Sequence, residues 1–327
     1  MQVTVNDIEF IELWKKHTGP QDLASFLAIN VRNVHARRRA IEARHNIKLN
    51  AKSRTDESSV PVAGSFVQAA PPNVRYGMTI PDGVVIVFSD AHYWPDETTV
   101  AHQALLALIK ELKPKAVINN GDAFDGAMIS RFPRIGWDHR PSVLAELNAV
   151  QEALGQIEAA APKACKLIWT MGNHDARFET RLAATASEFE GIHGFHLKDH
   201  FPFWQPCWSV WINEATDPTV IKHRFKGGFG AGRANAIAAS THMVTGHTHV
   251  LAVQPVSNYV KTLYGVQTGT LADPDGPQFA DYTEDNPKDW RSGFAVLTFH
   301  KGKLLMPELV QVCGDSEYQF RGKVWRI

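Results

Sequence analysis

Cysteine is scarce in this chain of 327 residues, which contains only Cys165, Cys207 and Cys313. Three widely spaced cysteines argue against a disulfide framework and against the closely spaced thiolates of a structural zinc site. Their scarcity fits a reducing compartment. Any metal site in this protein must therefore rely on oxygen and imidazole ligands.

The sequence also lacks long apolar runs, internal repeats and net charge. No apolar stretch approaches the roughly 20 residues that a membrane helix needs, and the start MQVTVNDIEF has no basic region followed by an apolar core. We therefore expect a cytoplasmic protein with no membrane partner. The 34 basic and 34 acidic residues cancel, so any attraction to nucleic acid must come from local segregation of charge.

Three regions of the chain differ in composition and predicted secondary structure. Residues 1–50 read as helices, with an amphipathic first segment that ends at Thr18-Gly19-Pro20. Residues 51–80 are rich in Ser, Pro, Ala and Gly and indicate a linker or lead-in. From 81 to 327, short apolar strands alternate with longer amphipathic segments, which is typical of βαβ units and predicts an α/β domain with a parallel or mixed sheet.

A polar cluster follows each predicted strand. The clusters are Asp90-Ala91-His92, Asn120-Gly121-Asp122 with Asp125, Gly172-Asn173-His174-Asp175, His223, and His247 with His249. Because ligands bind at the carboxyl ends of strands in open α/β sheets, we expect all five clusters to meet in one cleft.

Each cluster alone has an ordinary structural explanation, such as a turn, a surface loop or a helix N-cap. Packed together at one sheet edge, however, these carboxylates and imidazoles would be uncompensated unless cations neutralised them. Oxygen and imidazole donors without thiolates suit Mn, Fe, Zn, Ni or Mg. The donors suffice for two divalent ions, with Asp122 placed to bridge them, and Mn is the metal that we expect.

The ordered motifs Asp-x-His, Gly-Asp-x-x-Asp, Gly-Asn-His-Asp, a lone His and Gly-His-x-His span residues 90–249 and resemble the calcineurin-like metallophosphoesterase superfamily. The full chain looks like the phage- and prophage-encoded members. The resemblance implies a four-layer α/β fold, in which helices flank two mixed β-sheets, with a dinuclear metal site. It implies that one ion is held by Asp90, His92, Asp122 and His249. It implies that the other ion is held by Asp122, Asn173, His223 and His247.

One feature departs from the family pattern. Many members have a glycine after the lone metal histidine, whereas Arg224 follows His223 in this chain. His242 is therefore an alternative to His223 as the ligand.

Hydrolysis of a phosphoester needs a nucleophile at neutral pH, neutralisation of charge on the phosphoryl oxygens, and a proton for the leaving group. Two neighbouring metal ions supply the first two by lowering the pKa of a bridging water. His174 lies next to a ligand but outside the ligand set, so we predict that it is the general acid or a donor to the phosphate, oriented by Asp125. The family pattern implies the same two roles. The alternative is that Asp125 caps a following helix.

Four arginines near the motifs are candidates for pairing with a phosphate oxygen, and each is equally compatible with a solvated loop position. Arg131 and Arg177 are the predicted substrate-binding residues, and Arg134 and Arg181 are further candidates. Tyr93 and Trp94 follow His92 and could form a wall of the substrate pocket, stack on a base or pack in the core.

Residues 22–47 resemble the helix-turn-helix of phage regulators and small terminase subunits, with Asn30 as the N-cap of the second helix. That helix is basic, which suits a phosphate backbone. The predicted nucleic-acid-binding residues are Arg32, Arg37, Arg38 and Arg39. The alternative is a protein-binding or merely solvated basic helix.

A nucleic-acid-binding module joined to a phosphoesterase favours a phosphodiesterase or nuclease that acts on DNA or RNA. Residues 272–289 contain six acidic residues and one lysine, and beside the cleft they would repel a long polyanion and favour a short substrate. Two alternatives remain open at this stage. One is a phosphomonoesterase acting on nucleotides or phosphoproteins, and the other is a DNA-binding regulator with an inactive phosphoesterase domain.

Overall fold

A computed structural model gives the fold and describes residues 5–17, 20–45, 47, 49, 74–132, 139–228, 230–279, 286 and 288–327. The chain divides into two compact units, Met1–Val67 and Gln68–Ile327. Each unit has its own hydrophobic core.

The N-terminal unit contains three helices, α1 (Asp7–Lys16), α2 (Pro20–Phe26) and α3 (Val31–His45). Asn6 caps α1 in a capping box with Glu9, and the Asn30 side chain accepts a hydrogen bond from the Arg32 N–H at the start of α3 (2.9 Å). The core of this unit includes Phe10, Trp14, Leu23, Leu27, Val34 and Ile41.

The second unit alternates strands and helices in its first part and continues with antiparallel strands. Its helices are α4 (Val100–Leu112), α5 (Val143–Ala160), α6 (Asp175–Thr185) and α7 (Ala231–Ala239), and short 3-10 turns lie at Ser187–Phe189 and Leu197–His200. The first eight strands are β1 (Tyr76–Met78), β2 (Gly83–Phe88), β3 (Ala116–Asn119), β4 (Lys166–Thr170), β5 (Gln205–Cys207), β6 (Val210–Ile212), β7 (Thr219–Ile221) and β8 (His242–Thr245). The remaining strands are β9 (Leu251–Ser257), β10 (Thr262–Thr268), β11 (Gly293–His300), β12 (Lys303–Leu304), β13 (Glu308–Gly314), β14 (Glu317–Phe320) and β15 (Lys323–Arg326).

These strands form two mixed sheets. The larger sheet has the order β15-β14-β13-β11-β2-β3-β4-β5, with β12 paired to β11, and its β2, β3, β4 and β5 are parallel. The smaller sheet has the order β1-β6-β7-β8-β10-β9, and its β7, β8 and β10 are parallel. The parallel strands of both sheets lead into the polar loops of the predicted cleft.

The apolar run of β2 is explained by burial on both faces of the larger sheet. Ile86 and Phe88 pack in the core that also contains residues of α4 and α5, whereas Val85 and Val87 pack between the two sheets. Side chains alternate along a strand, so a strand with a core on each side must be apolar throughout. Helix α7 covers the other face of the smaller sheet, which completes four layers. The predicted fold, two mixed sheets flanked by helices, is confirmed.

The structure differs from the sequence-based segmentation at one place. Tyr76–Met78 form β1, which pairs in parallel with Val210–Ile212, although these residues fall within the segment 51–80 that we interpret as linker. The ordered second unit therefore includes the end of that segment. None of the helices in the described part of the chain is both long and apolar enough to cross a membrane.

Candidate metal centre

The polar clusters after β2, β3, β4, β7 and β8 come together at one edge of the sandwich. Potential ligand atoms lie within 4.8 Å of one another in the groups Asp90/His92/His249, His92/Asp122/His174 and Asp122/His223/His247. The first and third groups each contain three of the four members of a predicted ligand set. Asp122 belongs to the second and third groups, and the second also contains His174, which was predicted to lie outside the ligand set. The structure thus brings the predicted carboxylate and imidazole ligands together.

Five of these residues have backbones in the left-handed region. The φ angles are 52° for Asp90, 39° for His92, 56° for Asp122, 69° for His247 and 56° for His249. Residues other than glycine rarely adopt positive φ, and each such residue costs on the order of 1 kcal/mol. Strain at so many adjacent positions is typical of a functional site, where the backbone is bent to aim side chains at one point.

Two motif glycines leave room for the carboxylates. A Cβ on Gly172 would lie 2.0 Å from Asp122 Oδ1, and a Cβ on Gly246 would lie 2.7 Å from Asp90 Oδ2. Any other residue at these positions would displace a predicted ligand. The glycines of Gly-Asn-His-Asp and Gly-His-x-His are thus explained by close approach of the backbone to the site.

Hydrogen bonds to one ring nitrogen orient two of the histidines. His92 Nδ1 lies 2.8 Å from Asp125 Oδ1, and His223 Nδ1 donates to the Asn120 backbone oxygen (2.7 Å). With its proton on Nδ1, each imidazole would turn the lone pair of Nε2 inward, which is the arrangement that metal-binding histidines adopt. His223 Nε2 lies 3.0 Å from Asp122 Oδ2.

The site contains buried polar atoms that nothing in the described part of the chain satisfies. His92 Nε2 and Asn173 Oδ1 are buried and have no hydrogen-bond partner there. Buried polar atoms normally have partners, and unpaired ones cost roughly 1–3 kcal/mol each. Their lone pairs are ligands for divalent ions, so the donor set fits two metal ions.

The electrostatics of the site also favour cations. Burial raises the pKa of Asp90, but His249 and other neighbours lower it to about 2, and the pKa of Asp122 is likewise held well below its usual range by His223 and His174. Burial lowers the pKa of His223, but the charges of Asp122 and Asp90 raise it to about 10. Two buried carboxylates thus remain ionised and attract positive charge, which divalent ions would supply.

His174 and Asp125 form the predicted pair. His174 Nδ1 lies 2.8 Å from Asp125 Oδ1, and His92 Nδ1 lies at the same distance from the same oxygen. Asp125 therefore orients one predicted ligand and the predicted general acid together. The described residues 126–132 contain no helix, and the next described helix, α5, is capped by Ser142, so the structure does not support the alternative role of Asp125 as a helix cap.

Arg177 is the candidate arginine that lies at the site. Its Nη1 donates to the Asp125 backbone oxygen (2.9 Å), and its Nη2 lies 3.1 Å from His174 Nε2. Arg131 is exposed, with its guanidinium over the Phe132 ring, and Arg181 is exposed on α6. Arg134 lies outside the described residues.

His242 does not join the cluster. Its Nε2 lies 3.2 Å from both carboxylate oxygens of Asp217, and its Nδ1 accepts a hydrogen bond from the Tyr264 backbone N–H (3.0 Å). Both ring nitrogens are occupied away from the predicted ligands. His223, not His242, therefore supplies the imidazole beside Asp122.

Two buried acids at the site were not assigned a role from the sequence. The Asp175 carboxylate accepts hydrogen bonds from the backbone of Asp122, Phe124 and Gly172 and from the Trp169 indole. Asp175 is the last residue of the Gly-Asn-His-Asp motif, so the motif marks this residue in the sequence. Glu146, in the first turn of α5, accepts from the Gly126 and Ala127 N–H groups (2.6 and 3.0 Å) and fixes the loop after Asp125; no local pattern marks it.

Asp175 supports a stability prediction. Replacing Asp175 by alanine leaves four N–H groups unpaired, three of them on loops of the site, and should lower the free energy of unfolding by about 3–5 kcal/mol. Asp175→Asn keeps one acceptor oxygen for the three N–H groups that bond to Oδ2 but turns an amide nitrogen toward the Phe124 N–H. Burial and Asp122 raise the pKa of Asp175 to about 6, so loss of the charge costs little, and the asparagine should cost about 1–3 kcal/mol, less than the alanine. Chemical denaturation of the metal-free proteins measures the free energy of unfolding of both variants. Equal losses in the two variants would contradict the role of Asp175 as the acceptor for these N–H groups.

In the N-terminal unit, the four predicted nucleic-acid-binding arginines differ in exposure. Arg32 and Arg39 are exposed on α3. Arg37 is half-buried, donates to the Val5 backbone oxygen and lies over the Phe10 ring. Arg38 is half-buried, lies over the Trp14 ring and pairs with Glu42 at 3.6 Å. Two of the four guanidiniums are therefore used within their own unit.

Comparison with known families identifies the second unit. The calcineurin-like phosphoesterase family profile matches residues 83–251, just over half of the chain. The chain belongs to this family. The matched span contains all seven predicted metal ligands together with His174 and Asp125. Family membership and the donor set identify the chain as a metal-dependent phosphoesterase.

Solved structures with similar folds have low sequence identity to the chain. Vps29 from Entamoeba histolytica, in complex with Zn²⁺, is 14% identical with a TM-score of 0.40, over 75% of this chain and 98% of that chain. A novel archaeal phosphodiesterase is 14% identical with a TM-score of 0.35, over 70% and 99%. Vps29 from Chaetomium thermophilum is 8% identical with a TM-score of 0.40, over 75% and 98%. No curated protein sequence matches the chain.

Proposed function

We propose that this phosphoesterase hydrolyses phosphodiester bonds, with nucleic acid as its substrate class and Mn²⁺ as its metal. The observation that carries the proposal is the position of the His174–Asp125 pair beside ligand groups that share Asp122. The His174 imidazole could donate a proton at the place where two metal ions would act on a phosphate. Two bound divalent ions would supply an activated water and neutralise phosphoryl charge.

The ligand residues would divide into two sets. Asp90, His92 and His249 would bind one ion, and Asn173, His223 and His247 the other, with Asp122 between them. Ser89 supports the first set through a 2.5 Å hydrogen bond from its hydroxyl to Asp90 Oδ2. The backbone N–H of His247 also donates to the Asp90 carboxylate (2.9 Å), which ties the two loops together.

His174 would deliver a proton to the leaving oxygen, and Arg177 would bind a non-bridging oxygen of the phosphate. Burial lowers the pKa of His174, but Asp122 and Asp125 more than offset it and the pKa is raised, which favours the protonated imidazole. The Arg177 guanidinium beside His174 Nε2 opposes that protonation. Movement of Arg177 onto the phosphate would remove this opposition and free Nε2 to donate.

The surroundings of the candidate metal centre can accommodate a diester. Within the described part of the chain, Arg177 is the arginine that contacts the His174–Asp125 pair, and no lysine contacts it. A cavity of about 400 Å³ beside His92 also leaves space for a second ester group.

Aryl substrates test the reaction class. With Mn²⁺, we expect turnover of bis(p-nitrophenyl) phosphate to exceed that of p-nitrophenyl phosphate by at least about tenfold, and a chelator should abolish both because the ligand set is left without its ions. Readdition of Mn²⁺ should restore turnover. Preference for the monoester would instead support a phosphatase, and metal-independent turnover would contradict the proposed site.

The exposed arginines of α3 support nucleic acid as the substrate class. Arg32→Ala with Arg39→Ala should weaken binding of duplex DNA by about tenfold at moderate salt and reduce its salt dependence, because two phosphate contacts are lost. The matched control is Lys15→Ala with Lys16→Ala, which removes two exposed charges from α1. Hydrolysis of the aryl diester should not change in either variant. Equal effects of the two pairs on DNA binding would contradict a specific role for α3.

A further inference from the structure

A cavity of about 400 Å³ opens next to the candidate metal centre. Its walls are residues 91–99, His102, one face of α5 and Gln278. His92 lines the cavity and is also a predicted metal ligand, so a group bound in the cavity would lie beside the phosphate. The volume is within the range of small-ligand pockets.

Aromatic side chains form one wall of this cavity. Trp94 is half-buried and Tyr93 is buried. The wall is held in place by a chain of hydrogen bonds in which Tyr93 Oη lies 3.0 Å from His102 Nδ1 and His102 Nε2 lies 3.0 Å from Gln156 Oε1. An indole on a fixed loop is suited to contact a flat heterocycle.

Gln278 contributes an unused hydrogen-bond acceptor. Its Oε1 atom is buried and has no hydrogen-bond partner in the part of the chain that the structure describes. A buried acceptor without a partner is unfavourable, and rotation of the Gln278 side chain into the cavity that it lines would let an N–H group of a bound ligand satisfy it. Asn148 adds an exposed amide to the same cavity, and amides of this kind pair with the donor and acceptor edges of bases.

The charges of the cavity exclude further phosphate groups. Asp96, Glu97 and Glu152 line it and are exposed, and the described residues of the lining include no lysine or arginine. Burial lowers the pKa of His102, so this histidine adds no positive charge near neutral pH. Three carboxylates without a cation repel a continuing polyanion but tolerate a neutral group.

We propose that the cavity binds the base and sugar of a terminal nucleoside on one side of the scissile diester. This inference rests on the proposed phosphodiesterase function and narrows it to short substrates or chain ends. In the reaction, water gives up one proton to solvent as its oxygen forms a bond to phosphorus, the ester P–O bond on the leaving side breaks, and the leaving oxygen takes a proton from His174. The nucleoside in the cavity keeps its glycosidic bond and its base unchanged.

Binding of thymidine tests the cavity independently of catalysis. Saturation-transfer NMR should detect thymidine bound to the wild-type protein, and Trp94→Ala and Gln278→Ala should each weaken that binding by about tenfold through loss of stacking or of the acceptor. Trp208→Ala is the control, because Trp208 is a partly exposed tryptophan outside the cavity. Absence of thymidine binding, or equal weakening in all three variants, would overturn the proposal.

Kinetics separate this proposal from the proposed function. For thymidylyl-thymidine, kcat/KM should fall about tenfold in Trp94→Ala and Gln278→Ala and stay at the wild-type value in Trp208→Ala, whereas kcat/KM for methyl p-nitrophenyl phosphate, which carries no base or sugar, should fall much less in the two cavity variants. Terminal phosphates on the dinucleotide should lower kcat/KM, and Glu97→Gln with Glu152→Gln should recover part of that loss. Thymidine binding without hydrolysis of either diester would refute the phosphodiesterase function but support the nucleoside site. Hydrolysis that does not depend on Trp94 or Gln278 would refute the nucleoside site alone.

Discussion

Replacing Asp122 by alanine is expected to lower phosphodiester turnover on the order of 10³-fold or more. Asp122 belongs to two of the three potential ligand groups, and its Oδ1 also accepts the His174 backbone N–H (2.8 Å). Its removal weakens both ion sites and loosens the loop that holds the general acid. Metal analysis after dialysis should find two Mn²⁺ per wild-type chain and at most one in the variant.

An aspartate–histidine pair elsewhere provides the control for Asp122. Asp217 lies 3.2 Å from His242 in the smaller sheet, outside the predicted ligand groups. Asp217→Asn should therefore retain two Mn²⁺ and near wild-type turnover. Full turnover by the Asp122 variant, or equal losses in both variants, would show that Asp122 does not bridge two ions.

His174→Ala is expected to lower kcat by about 10²–10⁴-fold while two Mn²⁺ remain bound, because the imidazole gives a proton but is not needed for the ions. His300→Ala is the matched control, since His300 pairs with Asp82 at 2.9 Å on the surface. Substrates with different leaving groups test whether His174 acts as the general acid. A diester with a good leaving group such as p-nitrophenolate should be less affected than a dinucleotide, whose alkoxide needs the proton. Equal losses for both substrates would contradict the general-acid role.

Replacement of Asp125 is expected to change the pH dependence of kcat. The carboxylate of Asp125 helps to raise the pKa of His174, so Asp125→Asn should lower that pKa. If protonated His174 is the acid, kcat falls as pH rises through its pKa, and the alkaline limb of the profile should move to lower pH in the variant. The measurement needs saturating Mn²⁺, because Asp125 also orients His92 and its loss should weaken metal binding about 10–100-fold.

The strands and the convergence of the site could be predicted from the sequence because both depend on short patterns. The apolar run of β2 reflects burial on both faces, and Asp90 and His92 follow it directly. The choice between His223 and His242 could not be made in this way. It depends on Asp217 and Tyr264, which occupy both ring nitrogens of His242.

Long-range hydrogen bonds account for most of what the sequence could not predict. Glu146 accepts from backbone groups 19 and 20 residues away, and Asp175 accepts from groups more than 50 residues away. Neither partner can be inferred from local spacing. Strand β1 escaped prediction for a similar reason, since its three residues are ordered by pairing with β6 across more than 130 positions.

Packing in the N-terminal unit also modifies the sequence-based interpretation. The basic composition of α3 predicted four phosphate-binding arginines, but Arg37 and Arg38 extend over Phe10 and Trp14 of α1. Long charged side chains often cover apolar surface in this way. The docking of α1 on α3 that causes this cannot be read from the charge pattern of α3 alone. Arg32 and Arg39 are the residues left to test.

Electron paramagnetic resonance of the Mn²⁺-loaded protein tests the central claim, a dinuclear site built around Asp122, most directly. With two equivalents of Mn²⁺, the wild-type protein should give the multiline spectrum of an exchange-coupled pair, because ions held about 3.5–4 Å apart interact strongly. Asp122→Ala should lose this coupling. A wild-type spectrum of isolated Mn²⁺ ions alone, at any loading, would contradict the account.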